Sequence, residues 1–316
     1  MKQLPKHAKS FTLAALAALT LSIQAGTAGA APTTVKLAPY AVQAVAADSS
    51  VSTQIFNKYM TLLNVKGQLP KAITYLNAHI DEVSAYQASL MVLRLENAIV
   101  KVQSTFDQSI ANTSIQEAIN KVYKIDDSFA NIISRTKDKK LKTLLQAASD
   151  NGLKLETAEG FYFPIVDYKG FQKYRAYVGA DVKAYIDIMT VESEQANVKD
   201  AGLMIGYQQL ANRALSQEQF VKQFPNSNRT AAIKTLYNNY KTLTFYGVNN
   251  TPLFDYETNE MQPNAIKGYT MILDRNKDTK SDYLNLLQKF MDLAKDHGYK
   301  QTAEVTAFRK ANVPIN

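Results

Sequence analysis

Residues 84–110 read SAYQASLMVLRLENAIVKVQSTFDQSI. Within them Met91, Leu95, Ala98, Val102 and Phe106 fall at i, i+4, i+7, i+11 and i+15, the spacing of one apolar stripe down an α-helix. No proline occurs between Pro70 and Pro164, so nothing in that interval removes a helical hydrogen bond. Upstream, the same periodicity predicts helices over 52–66 and 70–81. The second carries Pro70 in its first turn, where a missing N–H is tolerated. Downstream, Thr113 with Gln116 makes a capping-box pattern, and 138–151 reads as a helix stopped by Gly152.

The texture changes at Gly160-Phe-Tyr-Phe-Pro-Ile-Val166, an aromatic, β-branched, proline-broken run that predicts an extended connector or short strand. Beyond it, Asp167 can cap a helix carrying Phe171, Tyr174 and Tyr177. Further helices are expected near 181–193, 199–214, 216–224, 229–246, 263–273, 281–297 and 301–311. The fold class is therefore all-α: an N-terminal helical bundle over 51–163, then an α-solenoid-like stack of helical hairpins over 164–316.

An internal echo supports the hairpins. Phe220-Val221 precedes Met271-Ile272 by 51 residues, and the same offset relates Ile233 to Leu284, Leu236 to Leu287, Tyr240 to Met291 and Gly247 to Gly298. Each copy reads as helix, polar turn, longer helix and glycine stop. The run Phe220-Val-Lys-Gln-Phe-Pro-Asn-Ser227 resembles the helix end and turn of tetratricopeptide-like repeats, over about twenty residues. The 51-residue offset departs from the usual repeat of about 34 in that family.

The first thirty residues read as an export leader. Lys2, Lys6 and Lys9 open it, an apolar run from Phe11 to Ile23 follows, and Ala28-Gly29-Ala30 provides a small-residue cleavage site after Ala30. The apolar run is too short for a permanent membrane span. Residues 31–50, rich in Ala, Pro, Thr, Ser and Val, are expected to be a flexible lead-in. Losing the three leader lysines takes the net charge from +8 to +5. That is mild, and nucleic acid is not an expected partner. With no cysteine, the chain cannot form disulfides or use thiolate metal sites. The chain without its leader also resembles a group of exported proteins of Gram-positive spore-formers, which implies export and no particular activity.

Two candidate sites stand out. Arg135, Lys137, Lys139, Lys140 and Lys142 put five positive charges into eight residues at a helix junction. Cations beside the free N–H groups of a helix start suit an anion. Phe161, Tyr162, Phe163, Tyr168, Tyr174 and Tyr177 could line an aromatic pocket, although tyrosines at helical spacing commonly cover a core. Carboxylates cluster nearby at Glu156, Glu159, Asp167, Asp181, Asp187, Glu192 and Glu194, with no spacing that selects a catalytic pair. Asp274, Asn276, Asp278 and Asp282 match part of a calcium loop, but Thr279 and Asn285 occupy its decisive glycine and glutamate positions. Glycines spaced as Gly202 and Gly206 are expected to serve helix packing. No catalytic residue, cofactor or metal is therefore assigned.

The expected protein is a secreted, non-enzymatic helical scaffold, extracellular or cell-wall associated, with no stable membrane insertion after cleavage. Its expected partner is a cell-wall polymer, a peptide or another extracellular protein. The second reading is a secreted hydrolase or lyase working through carboxylates.

Overall fold

The computed structural model describes residues 49–315. The expected leader, its expected cleavage site and nearly all of the expected lead-in lie outside the described residues. Helices dominate, so the all-α class holds. The N-terminal part contains α1 (Ser49–Asn64), α2 (Leu69–His79), α3 (Ala85–Ile110), α4 (Thr113–Asn120), α5 (Phe129–Arg135) and α6 (Lys139–Asp150). Ser84 and Gln87 form a reciprocal capping box at the start of α3. The Met91–Leu95 side of that helix is buried against α1 and α2.

Gly152, at φ +80°, turns the chain from α6 into a two-stranded antiparallel hairpin, β1 (Leu153–Ala158) and β2 (Phe161–Val166). Helix side chains cover the outer edge of β2. Gln116 of α4 exchanges two hydrogen bonds with the Tyr162 backbone, at 2.8 and 3.0 Å, and Gln103 of α3 donates to the Pro164 carbonyl at 3.0 Å. Amide side chains thus take the place of a third strand and close an otherwise unpaired edge. The expected boundary between residues 163 and 164 consequently falls inside a strand pinned to α3 and α4. Every described residue belongs to one compact unit.

The expected helix after Asp167 is a 3₁₀ helix, Tyr168–Tyr174, which ends before Tyr177. Asp167 does cap it, accepting from Gly170 N. Then come α7 (Ala180–Glu194), β3 (Val198–Lys199), β4 (Gly202–Leu203), α8 (Tyr207–Gln223), α9 (Thr230–Tyr246), β5 (Gly247–Val248), β6 (Thr251–Pro252), α10 (Pro263–Arg275), α11 (Asp282–Asp296) and α12 (Ala303–Asn312). Here the reading of 199–214 and 216–224 as two helices is corrected. Residues 198–203 form a hairpin whose turn, Asp200-Ala201, has φ of +50° and +56°, and a single helix follows. Gly202 and Gly206 accordingly lie on a strand and at a helix N-cap rather than along one helix face.

Helix α8 packs on α9, α10 and α11. The echo pairs Ile233/Leu284, Leu236/Leu287 and Tyr240/Met291 are all buried. Gly247 and Gly298 both adopt positive φ, +71° and +62°. At Gly247 a Cβ would lie 2.3 Å from the Thr251 carbonyl oxygen, so only glycine lets β5 fold back beneath the end of α9. No described helix is long and apolar enough to cross a membrane.

Candidate functional site

The basic run divides into one committed residue and four free ones. Arg135, at the end of α5, donates from Nε to the Val122 carbonyl at 3.1 Å and pairs with the Asp127 carboxylate. Lys137, Lys139 and Lys140 are exposed and Lys142 is half-buried. None of their ammonium groups has an ion-pair partner among the described residues. The expected contribution from backbone N–H groups is corrected. Asp138 caps α6, its carboxylate accepting from Lys140 N and Leu141 N at 2.8 and 3.1 Å. A built-in carboxylate already occupies the anion position of that helix start. What faces solvent is a lysine-flanked shallow depression along α6, floored by Thr143, Leu144 and Ala147.

The aromatic set does not assemble into one pocket. Alternation along β2 turns Tyr162 inward and leaves Phe161, 63% exposed, on the other face together with the half-buried Phe163. Tyr162 packs edge-on against Tyr123, and its hydroxyl donates to Asn120 at 3.0 Å. Tyr174 is buried with its hydroxyl on Asn77 at 2.6 Å, whereas Tyr177 is exposed. Tyr168 is buried against Phe171 and Tyr185. These rings cover core, and the hydroxyls of Tyr162, Tyr168 and Tyr174 are spent on three different partners.

Sequence reasoning missed a polar seam along one face of α7. Tyr185 and Glu192 are seven residues apart, two helical turns and about 10 Å. At the first level Glu96 of α3, 3% exposed, receives both the Tyr168 and Tyr185 hydroxyls on one oxygen. Its other oxygen takes Arg229 Nε and a terminal guanidinium nitrogen at 2.9 and 2.6 Å. Arg229 also donates to Asn97 at 2.9 Å and lies over the Tyr185 ring. Burial, reinforced by the Glu96 carboxylate, pushes both tyrosines far above their ordinary pKa; the neighbouring hydroxyl adds to this at Tyr168, whereas Arg229 and the Tyr168 hydroxyl oppose it at Tyr185.

At the second level the Tyr240 hydroxyl donates to Glu192 at 2.7–2.8 Å, and Arg213 stands 3.5 Å from the same carboxylate. Burial raises the Glu192 pKa against the opposing pull of Tyr240 and Arg213. A third buried carboxylate, Glu218, accepts from Tyr283 N at 2.9 Å and from the Ser281 hydroxyl, supplying the start of α11 with an anion from α8.

The long loop after α9 joins the aromatic connector through a relay of turns. Asn250 N donates to the Ala201 carbonyl at 2.8 Å, and Asp200 in turn accepts from Glu159 N at 2.9 Å. The tips of all three hairpins are therefore tied together at one edge. No family model, curated protein or solved structure matches the chain significantly.

Proposed function

We propose that this chain is an exported helical scaffold whose work is binding, and that the lysine face of α6 is its contact with an anionic cell-wall polymer. The observation that carries this reading is how closely unpaired cations are crowded here, since exposed lysines elsewhere that lack a carboxylate are spread more thinly. Lys154, Lys199 and Lys222 all sit on carboxylates at 2.6–3.1 Å. Lys137, Lys139, Lys140 and Lys142 lie within six residues of one another and have no such partner among the described residues. Uncompensated like charges repel one another, so a bound polyanion gains both attraction and relief of that repulsion. We further read α8–α9 and α10–α11 as two stacked helical hairpins of the tetratricopeptide-like kind. Such a stack offers a surface for a peptide or protein partner.

The hydrolase reading would rest on Glu192, whose raised pKa suits a general acid. Its carboxylate is enclosed and already engaged by Tyr240 and Arg213, which favours a structural role. The test of the binding reading is retention of the chain without its leader on purified cell wall, at low and high salt. Retention should fall at least tenfold between about 50 and 500 mM salt, because exposed charge pairs are screened. Lys139→Glu/Lys140→Glu/Lys142→Glu should abolish retention without lowering thermal stability. Equal retention by that variant would sink the proposal.

A further inference from the structure

Two of the buried side-chain atoms without a hydrogen-bond partner belong to one place in the seam: Arg213 Nε and Gln217 Oε1. They stand on α8 four residues apart, hence on the same helix face. Both side chains reach Glu192, Gln217 Nε2 at 3.4 Å and a terminal Arg213 nitrogen at 3.5 Å, while that same nitrogen also donates to the Gln195 carbonyl at 2.9 Å and to the Tyr240 hydroxyl at 3.2 Å. Gln217 is fully buried, Arg213 is 6% exposed, and the buried Tyr240 ring closes the other side. A donor and an acceptor left alone in the interior each carry their full desolvation cost, so native interiors supply them with partners.

The chemistry of the surroundings selects the partner. A cation would suit Gln217 Oε1 and Glu192 but would meet the Arg213 guanidinium. An anion would suit Arg213 Nε but would meet the Glu192 carboxylate and the amide oxygen. An apolar group would satisfy neither atom. A small neutral molecule that both accepts and donates satisfies both.

We propose that a single internal water molecule sits beside Glu192 between α7, α8 and α9, accepting from Arg213 Nε–H and donating to Gln217 Oε1. Its second hydrogen is free for the Glu192 carboxylate, giving three partners, the usual number for a buried water. The water supplies the two atoms of the second seam level that lack a partner, beside a carboxylate already held by the Tyr240 hydroxyl at 2.7–2.8 Å. This assignment is independent of the lysine face and stands or falls without it.

The deciding experiment is a crystal structure of the chain at neutral pH, at a resolution that places waters, with a second crystal grown in bromide. The expected result is one solvent peak within hydrogen-bond distance of both Arg213 Nε and Gln217 Oε1, without anomalous signal in bromide. Both atoms turned onto protein partners with no solvent peak would overturn the proposal, and bromide density there would replace the water by an anion. In solution, oxygen-17 relaxation dispersion should count one fewer long-lived water in folded Gln217→Met than in the parent. Equal counts would also overturn it. Where Gln217→Met does not fold, the parent crystal decides alone.

Discussion

Glu96 and Arg229 stand 133 positions apart and meet in the interior, tying α3 to the start of α9. Removing one member of such a pair strands the other charge away from water, which typically costs about 3–5 kcal/mol. Arg229→Met should therefore destabilise the chain by about that much in urea unfolding. Adding Glu96→Gln to Arg229→Met should cost far less than Glu96→Gln alone, because the stranded charge is gone. Additive losses would mean that the two residues contribute separately. Neither member of this pair was picked out from the sequence, although one signal was there. Glu96 shares a helix face with Val92 and Ile99, and a carboxylate amid buried apolar neighbours demands a cation. Which cation was not legible, because Arg229 arrives from a turn between distant helices.

Whole helices were legible where period and punctuation agreed. Helices α9, α10, α11 and α12 lie within two residues of their expected bounds, since apolar spacing, Pro263 at the start of α10 and the stops at Gly247 and Gly298 pointed the same way. Residues 198–203 failed because strands of two residues carry no periodicity, and their turn places Asp200 and Ala201 at positive φ, where Ala gives no signal. The candidate sites were legible only as sequence runs. Asp138 was read as part of a helix, whereas its carboxylate caps that helix and changes what the lysines around it can do. The close helix contact was also misplaced: it is made by Gly268 of α10, where a Cβ would lie 2.8 Å from Gln208 N and 3.1 Å from the Tyr207 Cβ. Gly268 has no positive φ, so Gly268→Ala would gain helix propensity and lose packing. Forcing a methyl group between two packed helices should win, with a net loss of about 1–3 kcal/mol. Thermal unfolding of the variant checks this, and an unchanged or raised Tm would show that α10 can move away from α8.

Without cysteine the chain has no disulfides, and buried tyrosines with placed hydroxyls tie its core together. Tyr59, Tyr168, Tyr174, Tyr185, Tyr240, Tyr269 and Tyr283 are all buried, most with the hydroxyl on a specific acceptor. Burial raises the pKa of each, and that of Tyr207 to about 12. An unfolded tyrosine ionises near 10. Below that pH both states hold the proton and the contribution to stability is complete. Above it the unfolded chain releases protons that the folded chain keeps, so stability falls as pH rises toward the folded values. One unit above the unfolded pKa, each such tyrosine costs on the order of 1 kcal/mol, so several together reach the scale of a typical domain's stability, about 5–15 kcal/mol. The chain should therefore unfold in one steep transition between about pH 11 and 12, with tyrosinate absorbance and loss of helical circular dichroism rising together. A gradual tyrosinate titration with the helices intact would show that these rings open to solvent one at a time, and that the core is not held as a unit.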